Sequence, residues 1–95
     1  MTKELSRIIL KRFAYNVRYL RYKKGLTQKE LACFSSTTQN LISMIESQQN
    51  VCLARCNNVA FSLGYPLSDL LSQDYYPENW NPPDQIRQSM TPVSL

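Results

Sequence analysis

The sequence predicts an all-α fold, on three observations. Up to Leu71, apolar residues recur every three or four positions, the period of helices that bury one face. Gly25 and Gly64 each directly follow such a stretch, where a residue able to turn left-handed closes a helix. Thr27 and Glu30 form a Thr-x-x-Glu capping box, the signature of a helix start.

The elements follow in order. The first helix runs from about Lys3 to Lys24, either whole or as a short helix plus a longer one, with apolar positions Leu5, Ile8/Ile9, Phe13, Val17 and Leu20. Lys23 and Lys24 complement the dipole at its end. Ile8, Ile9 and Leu10 are consecutive and cannot all face one small core; the surplus either caps the core or meets a second copy. Thr27 caps a second helix, about Gln28 to Phe34. The hydroxyl cluster Ser35, Ser36, Thr37, Thr38 favours a turn and then a new cap. Thr37 is the preferred cap, opening a third helix from about Thr38 to Glu46 with Leu41, Ile42 and Ile45 inward. After a polar break at residues 47–50, a fourth helix spans about Leu53 to Leu63, with Leu53, Cys56, Val59, Ala60 and Leu63 on one face. Pro66 fits the first turn of a short fifth helix that carries Leu67, Leu70 and Leu71. The domain is thus expected over 1–74. From Tyr75 to Pro83 prolines and aromatics dominate, so residues 75–95 are expected to form an irregular tail. Its Tyr75, Tyr76 and Trp80 either fold back on the core or mediate self-association.

Ninety-five residues suffice for one core. The net charge of +4 is unevenly spread. Residues 1–30 hold nine basic side chains (Lys3, Arg7, Lys11, Arg12, Arg18, Arg21, Lys23, Lys24, Lys29) against Glu4 and Glu30, a balance of +7. The remainder sums to −3. A basic first third suits a polyanion such as nucleic acid; its other reading is a solvated face. Arg18 and Lys24 are candidates to reach phosphate. Three cysteines, an odd count with no secretory signal ahead of them, point to free thiols in a reducing cytoplasm. Cys52 and Cys56 share one helix at i, i+4 spacing and are expected to be buried and inert rather than metal ligands. No apolar run approaches transmembrane length. The chain has no histidine, so the commonest general base and metal ligand is missing. It has too few glycines for a phosphate loop, and it shows no paired carboxylates. The expectation is a protein that is not an enzyme, with no cofactor, metal or small-molecule ligand.

The stretch from Gln28 to Ile45 meets the steric demands of a helix-turn-helix. Its fifth position, where the second helix packs closely, is the small Ala32, beside the core residue Leu31. Its fifteenth and eighteenth are Ile42 and Ile45. The ninth, a turn position best filled by glycine, is Ser36.

Residues Gly25 to Ala32, continued by Thr37 to Glu46, resemble the lambda-repressor-like, Cro/XRE-type helix-turn-helix family. Leu53 to Leu71 resembles the fourth and fifth helices of that fold, so the resemblance covers about residues 12–72. It implies that Thr38, Gln39, Asn40, Ser43 and Met44 line the exposed face of a recognition helix and contact bases. Gln39 and Asn40 are amides of the kind that pair with adenine. Phosphate contacts fall to Thr27, Gln28 and Lys29 at the start of the preceding helix, and to Ser47, Gln49 and Asn50 in the following loop. Arg21 and Glu46 match a partly buried ion pair between the first helix and the recognition helix. Departures are Ser36 for the turn glycine, Ser35 for an apolar residue, and Phe34 where a polar residue is common. Residues 31–54 contain no lysine or arginine, although phosphate neutralisation dominates affinity. Binding through this face is expected to be modest unless the first helix supplies charge or the protein dimerises. The resemblance implies a cytoplasmic, nucleoid-associated transcription regulator, a repressor-type homodimer on a palindromic operator in double-stranded DNA. The other reading is a protein-interaction module on the same fold, an antitoxin or antirepressor with weak or no DNA binding.

Overall fold

A computed structural model describes residues 2–81, with side chains from residue 5 onward. Five helices follow in order: α1 (Thr2–Lys23), α2 (Gln28–Phe34), α3 (Gln39–Glu46), α4 (Leu53–Leu63) and α5 (Leu67–Ser72). The fold is all-α, and no strand occurs among the described residues.

The N-terminal helix is one unbroken element. Its Phe13, Val17 and Leu20 enter the core beside Leu31 and Ala32 of α2, and Leu41, Ile42 and Ile45 of α3. Cys56, Val59, Ala60 and Leu63 of α4 and Leu70 of α5 complete it. Leu5 and Ile8 do not join: they are 51% and 54% exposed, and Ile9 and Leu10 are half-buried. The first turns of α1 therefore extend past the core.

Each of the first four helices ends in the same closure. A left-handed residue lets two successive N–H groups turn back onto carbonyls that the helix leaves unpaired. At the end of α1, Leu26 N–H donates to the Arg21 carbonyl (3.0 Å) and Gly25 N–H to Tyr22 (2.9 Å). At the end of α4, Tyr65 donates to Ala60 (3.1 Å) and Gly64 to Phe61 (2.9 Å). Both glycines sit at positive φ, 70° and 93°, as their place in the sequence implies. The other two closures use side-chain-bearing residues. Ser36 (φ 57°) ends α2, with Thr37 N–H on Ala32 (2.9 Å). Gln48 (φ 65°) ends α3, with Gln49 N–H on Met44 (3.0 Å).

Helix starts are equally local. Thr27 Oγ1 accepts from Glu30 N–H (3.0 Å) while the Glu30 carboxylate accepts from Thr27 N–H (2.9 Å), the full capping box. The cap of α3 is Thr38, not Thr37: its Oγ1 accepts from Leu41 N–H at 3.1 Å. Thr37 is unsuited because its own N–H closes α2, and its hydroxyl pairs with Ser35 Oγ at 2.8 Å. Ser35, buried, also bonds the Leu31 carbonyl (2.8 Å), so a hydroxyl is accommodated where an apolar side chain was expected. Pro66 stands at the cap of α5, one position ahead of its first turn.

Residues 75–81 form neither helix nor strand, yet they are held against α1. The fully buried Asn16 donates to the carbonyls of Leu70 (3.0 Å) and Gln73 (2.7 Å) and accepts from Tyr75 N–H (2.7 Å). Arg12 pairs with Asp74 at 2.9 Å. Trp80 lies against Tyr19 (centroids 5.4 Å), Tyr15 (6.0 Å), Tyr76 (6.1 Å) and Tyr22 (6.3 Å). Tyr75 packs on Tyr65 at 4.7 Å. Of the two readings of these aromatics, folding back is the one observed. Residues 82–95, the rest of the expected tail, lie outside the described residues.

Candidate nucleic-acid interface

The helix pair α2–α3 is braced from behind. Leu31 and Ala32 face Leu41, Ile42 and Ile45, all buried, so the opposite side of α3 is turned to solvent. Gln39, Asn40 and Ser47 are exposed there, and Ser43 and Met44 are half-buried. These residues recur at i, i+1, i+4, i+5 and i+8, the spacing of one helical face. Asn40 Nδ2 lies 3.8 Å from Met44 Sδ. Thr38 and Thr27 are exposed; each hydroxyl oxygen accepts a capping bond and keeps its proton to donate. Lys29 is exposed beside Thr27, and Ser47, Gln49 and Asn50 are exposed in the connection to α4. The expected base contacts thus lie on α3 and its cap, and the expected phosphate contacts other than Gln28 are exposed at the start of α2 and after α3.

Gln28 is only half-buried at the start of α2, and its side-chain amide faces inward, donating to Glu46 Oε1 at 3.1 Å. Glu46 is the hub of a buried polar cluster. Arg21 meets it with two bonds, Nε to Oε2 at 2.7 Å and Nη2 to Oε1 at 2.9 Å, the fork geometry that favours arginine. Arg21 Nη1 also donates to the Leu26 carbonyl at 2.9 Å. The pair is fully rather than partly buried, with side chains 1% and 0% exposed.

Arg18, a candidate for phosphate, instead faces this same carboxylate, Nε at 3.5 Å from Oε1, and is itself buried. Its Nε and Nη2 make no hydrogen bond, so Nε meets the carboxylate through charge rather than through a hydrogen bond. Two guanidinium groups against one carboxylate leave the cluster at +1. Sequence reasoning missed this role. The available signal was the i, i+3 spacing that puts Arg18 on the same side of α1 as Arg21.

This cluster sets the charge of the exposed face. Glu46 is the only ionisable side chain in α3, and it is turned inward, so the outward side is uncharged. Of the nine basic residues in 1–30, Arg12, Arg18 and Arg21 are engaged with carboxylates. Lys23, Lys24 and Lys29, exposed around the α1–α2 connection, are the cations nearest to α2 in sequence. Lys23 also lies over the Tyr19 ring at 5.7 Å.

The cysteines divide. Cys56 is buried with its thiol donating to the Val51 carbonyl (3.6 Å), but Cys52 is exposed at the cap of α4, against expectation. Burial, and then Cys52, push the Cys56 thiol above its ordinary range, which keeps it protonated at neutral pH. Among the described residues no group of three or more Cys, Asp or Glu is placed to hold a metal. No helix among them is long and apolar enough to cross a membrane. An open depression of about 570 Å³ between α1 and the tail is lined by Lys11, Tyr15, Asp74, Tyr76, Glu78, Trp80 and Asn81. No known protein family, curated protein or solved structure matches this chain.

Proposed function

We propose that the protein is a sequence-specific DNA-binding regulator that inserts α3 into the major groove, working as a homodimer on a palindromic operator. The observation that carries this reading is the exposed side of α3. Thr38, Gln39, Asn40, Ser43 and Met44 lie along it, while the one carboxylate of the helix is held inside by Arg21. A helix of this kind, rigidly backed and lined with short hydrogen-bonding side chains, fits the width of that groove. Thr27 and Lys29 at the start of α2, and Ser47, Gln49 and Asn50 after α3, all exposed, serve as phosphate contacts. Gln28 contributes by fixing α2 to Glu46. Half-sites would lie about one helical turn apart.

Salt dependence tests the reading. Each phosphate neutralised contributes about −0.9 to the slope of log affinity against log salt. With Lys23, Lys24 and Lys29 available, the expected slope is about −3 per protomer. Triple substitution of these lysines by glutamine should flatten it, and Gln39→Ala should reduce discrimination between operators while leaving the slope in place. Binding that is indifferent to salt and to the lysines would refute the proposal.

One observation favours a second reading, a protein-interaction module on the same fold. Phe34, Leu53 and Phe61 are 65%, 68% and 80% exposed, and Ser62 Oγ, whose one proton is shared between the carbonyls of Asn58 (2.9 Å) and Phe34 (3.2 Å), brings the end of α2 beside α4. Exposed large apolar side chains mark contact surfaces where they gather into one patch. An apolar protein contact holds its strength as salt rises, so the same titration separates the two readings.

A further inference from the structure

We infer that the base pairs read by α3 are A·T pairs, with the Asn40 amide on adenine and Met44 on the methyl group of a neighbouring thymine. This rests on the DNA-binding reading above and names what that surface recognises.

In the major groove guanine is distinguished by its O6 and N7 acceptors, paired with arginine or lysine, and cytosine by its N4 donor, paired with a carboxylate. The face of α3 offers neither. Residues 31–54 contain no lysine or arginine. The sole acid in that span, Glu46, has its two oxygens occupied by Arg21, at 2.7 and 2.9 Å, and by Gln28. Both groups that would select a G·C pair are therefore missing from the surface.

The groups that select an A·T pair are present and adjacent. Asparagine and glutamine pair with adenine through N6 and N7, and apolar side chains pack on the thymine methyl. Asn40 is exposed in the first turn of α3, with Gln39 beside it. Asn40 Nδ2 lies 3.8 Å from Met44 Sδ. That contact sets an amide and a polarisable apolar side chain side by side. They can meet an adenine edge and a thymine methyl on neighbouring base pairs. The Asn40 amide has a second hydrogen and a carbonyl oxygen with which to make the paired bond.

The experiment uses the full chain and a pool of random duplexes at low salt. Bound duplexes are sequenced, and the tightest is remade with single adenines replaced by 7-deazaadenine, which lacks the N7 acceptor, or single thymines by uracil, which lacks the methyl. The expected result is half-sites whose strongest positions are A·T, with about tenfold weaker binding on deaza substitution at one of them. That loss should vanish in Asn40→Ala, a change at an exposed position. Uracil should weaken binding by the wild type but not by Met44→Ala. Retained DNA with strongest positions at G·C, or insensitivity of the wild type to both analogues, overturns this inference and leaves DNA binding standing. Failure of the protein to retain any duplex overturns DNA binding itself, and this inference with it.

Discussion

At the scale of single residues, the cost of a left-handed backbone decides two positions. Ser36 and Gln48 hold φ of 57° and 65°, a conformation that costs a side-chain-bearing residue about 1–2 kcal/mol. Ser36 is exposed, so its hydroxyl is in water. Ser36→Gly relieves the backbone cost at the expense of a looser unfolded chain, and the net expectation is stabilisation by about 1 kcal/mol. Urea unfolding monitored by circular dichroism measures it. An unchanged or lower midpoint would mean that this turn is not strained. The sequence signalled Ser36, because a glycine is the natural occupant of that turn, but it gave no sign of Gln48. A polar break after a helix is compatible with many backbone paths, of which the observed one turns the Gln48 and Gln49 N–H groups back onto Ile45 and Met44.

At the scale of elements, the orientation of α3 depends on Glu46. One carboxylate faces Arg18 and Arg21 of α1 and bonds Gln28 of α2, so three helices meet at it. Replacing it by glutamine leaves two buried guanidinium groups without a counter-charge. The expected loss is about 3–5 kcal/mol, a large part of the stability of a domain this size. Thermal unfolding of Glu46→Gln checks this, and a loss below about 1 kcal/mol would show that the cluster is effectively solvated.

Most elements were legible in the sequence, because caps and stops are local. The start of α2 follows from Thr27 and Glu30, and the end of α4 from Gly64. The cap of α3 is displaced by one residue because Thr37 and Thr38 carry the same chemistry; the bonds of Thr37 to Ala32 and Ser35 distinguish them. Leu53 was expected on the buried side of α4 and is not there. At 100° per residue it stands about 70° from the mean direction of Cys56, Val59, Ala60 and Leu63. In the candidate interface, the side of α3 that faces solvent was legible from Leu41, Ile42 and Ile45, which fix the opposite side. The inward turn of Gln28 and the burial of Arg18 were not. Both depend on a carboxylate distant in sequence, and polar side chains carry no period that announces such a partner.

The whole molecule is completed by the segment after α5. Asn16, Arg12 and the aromatic side chains of α1 fasten it, through contacts between residues some sixty positions apart. That separation is why composition alone left its placement open. Two of its tyrosines report on the docking. Burial first, and then Asp69 for Tyr75 and Asp74 for Tyr76, raise both phenols above the ordinary 10.0. A raised phenol holds its proton longer in the folded state than in the unfolded one. Its stabilising contribution is therefore complete below pH 10 and is lost as pH rises through the folded-state value. The melting temperature should fall above pH 10, and less steeply when Tyr75 and Tyr76 are both phenylalanine. An equal fall in the two proteins would detach these phenols from the stability of the segment.

The lone indole of the chain sits among four phenol rings, with centroids 5.4 to 6.3 Å away. Light absorbed by those rings will be handed to Trp80 and re-emitted at its colour. The docked segment therefore carries its own optical gauge. Any event that lifts it from α1 will return to tyrosine the emission of Tyr15, Tyr19 and Tyr22, the three rings on that helix, with no label attached.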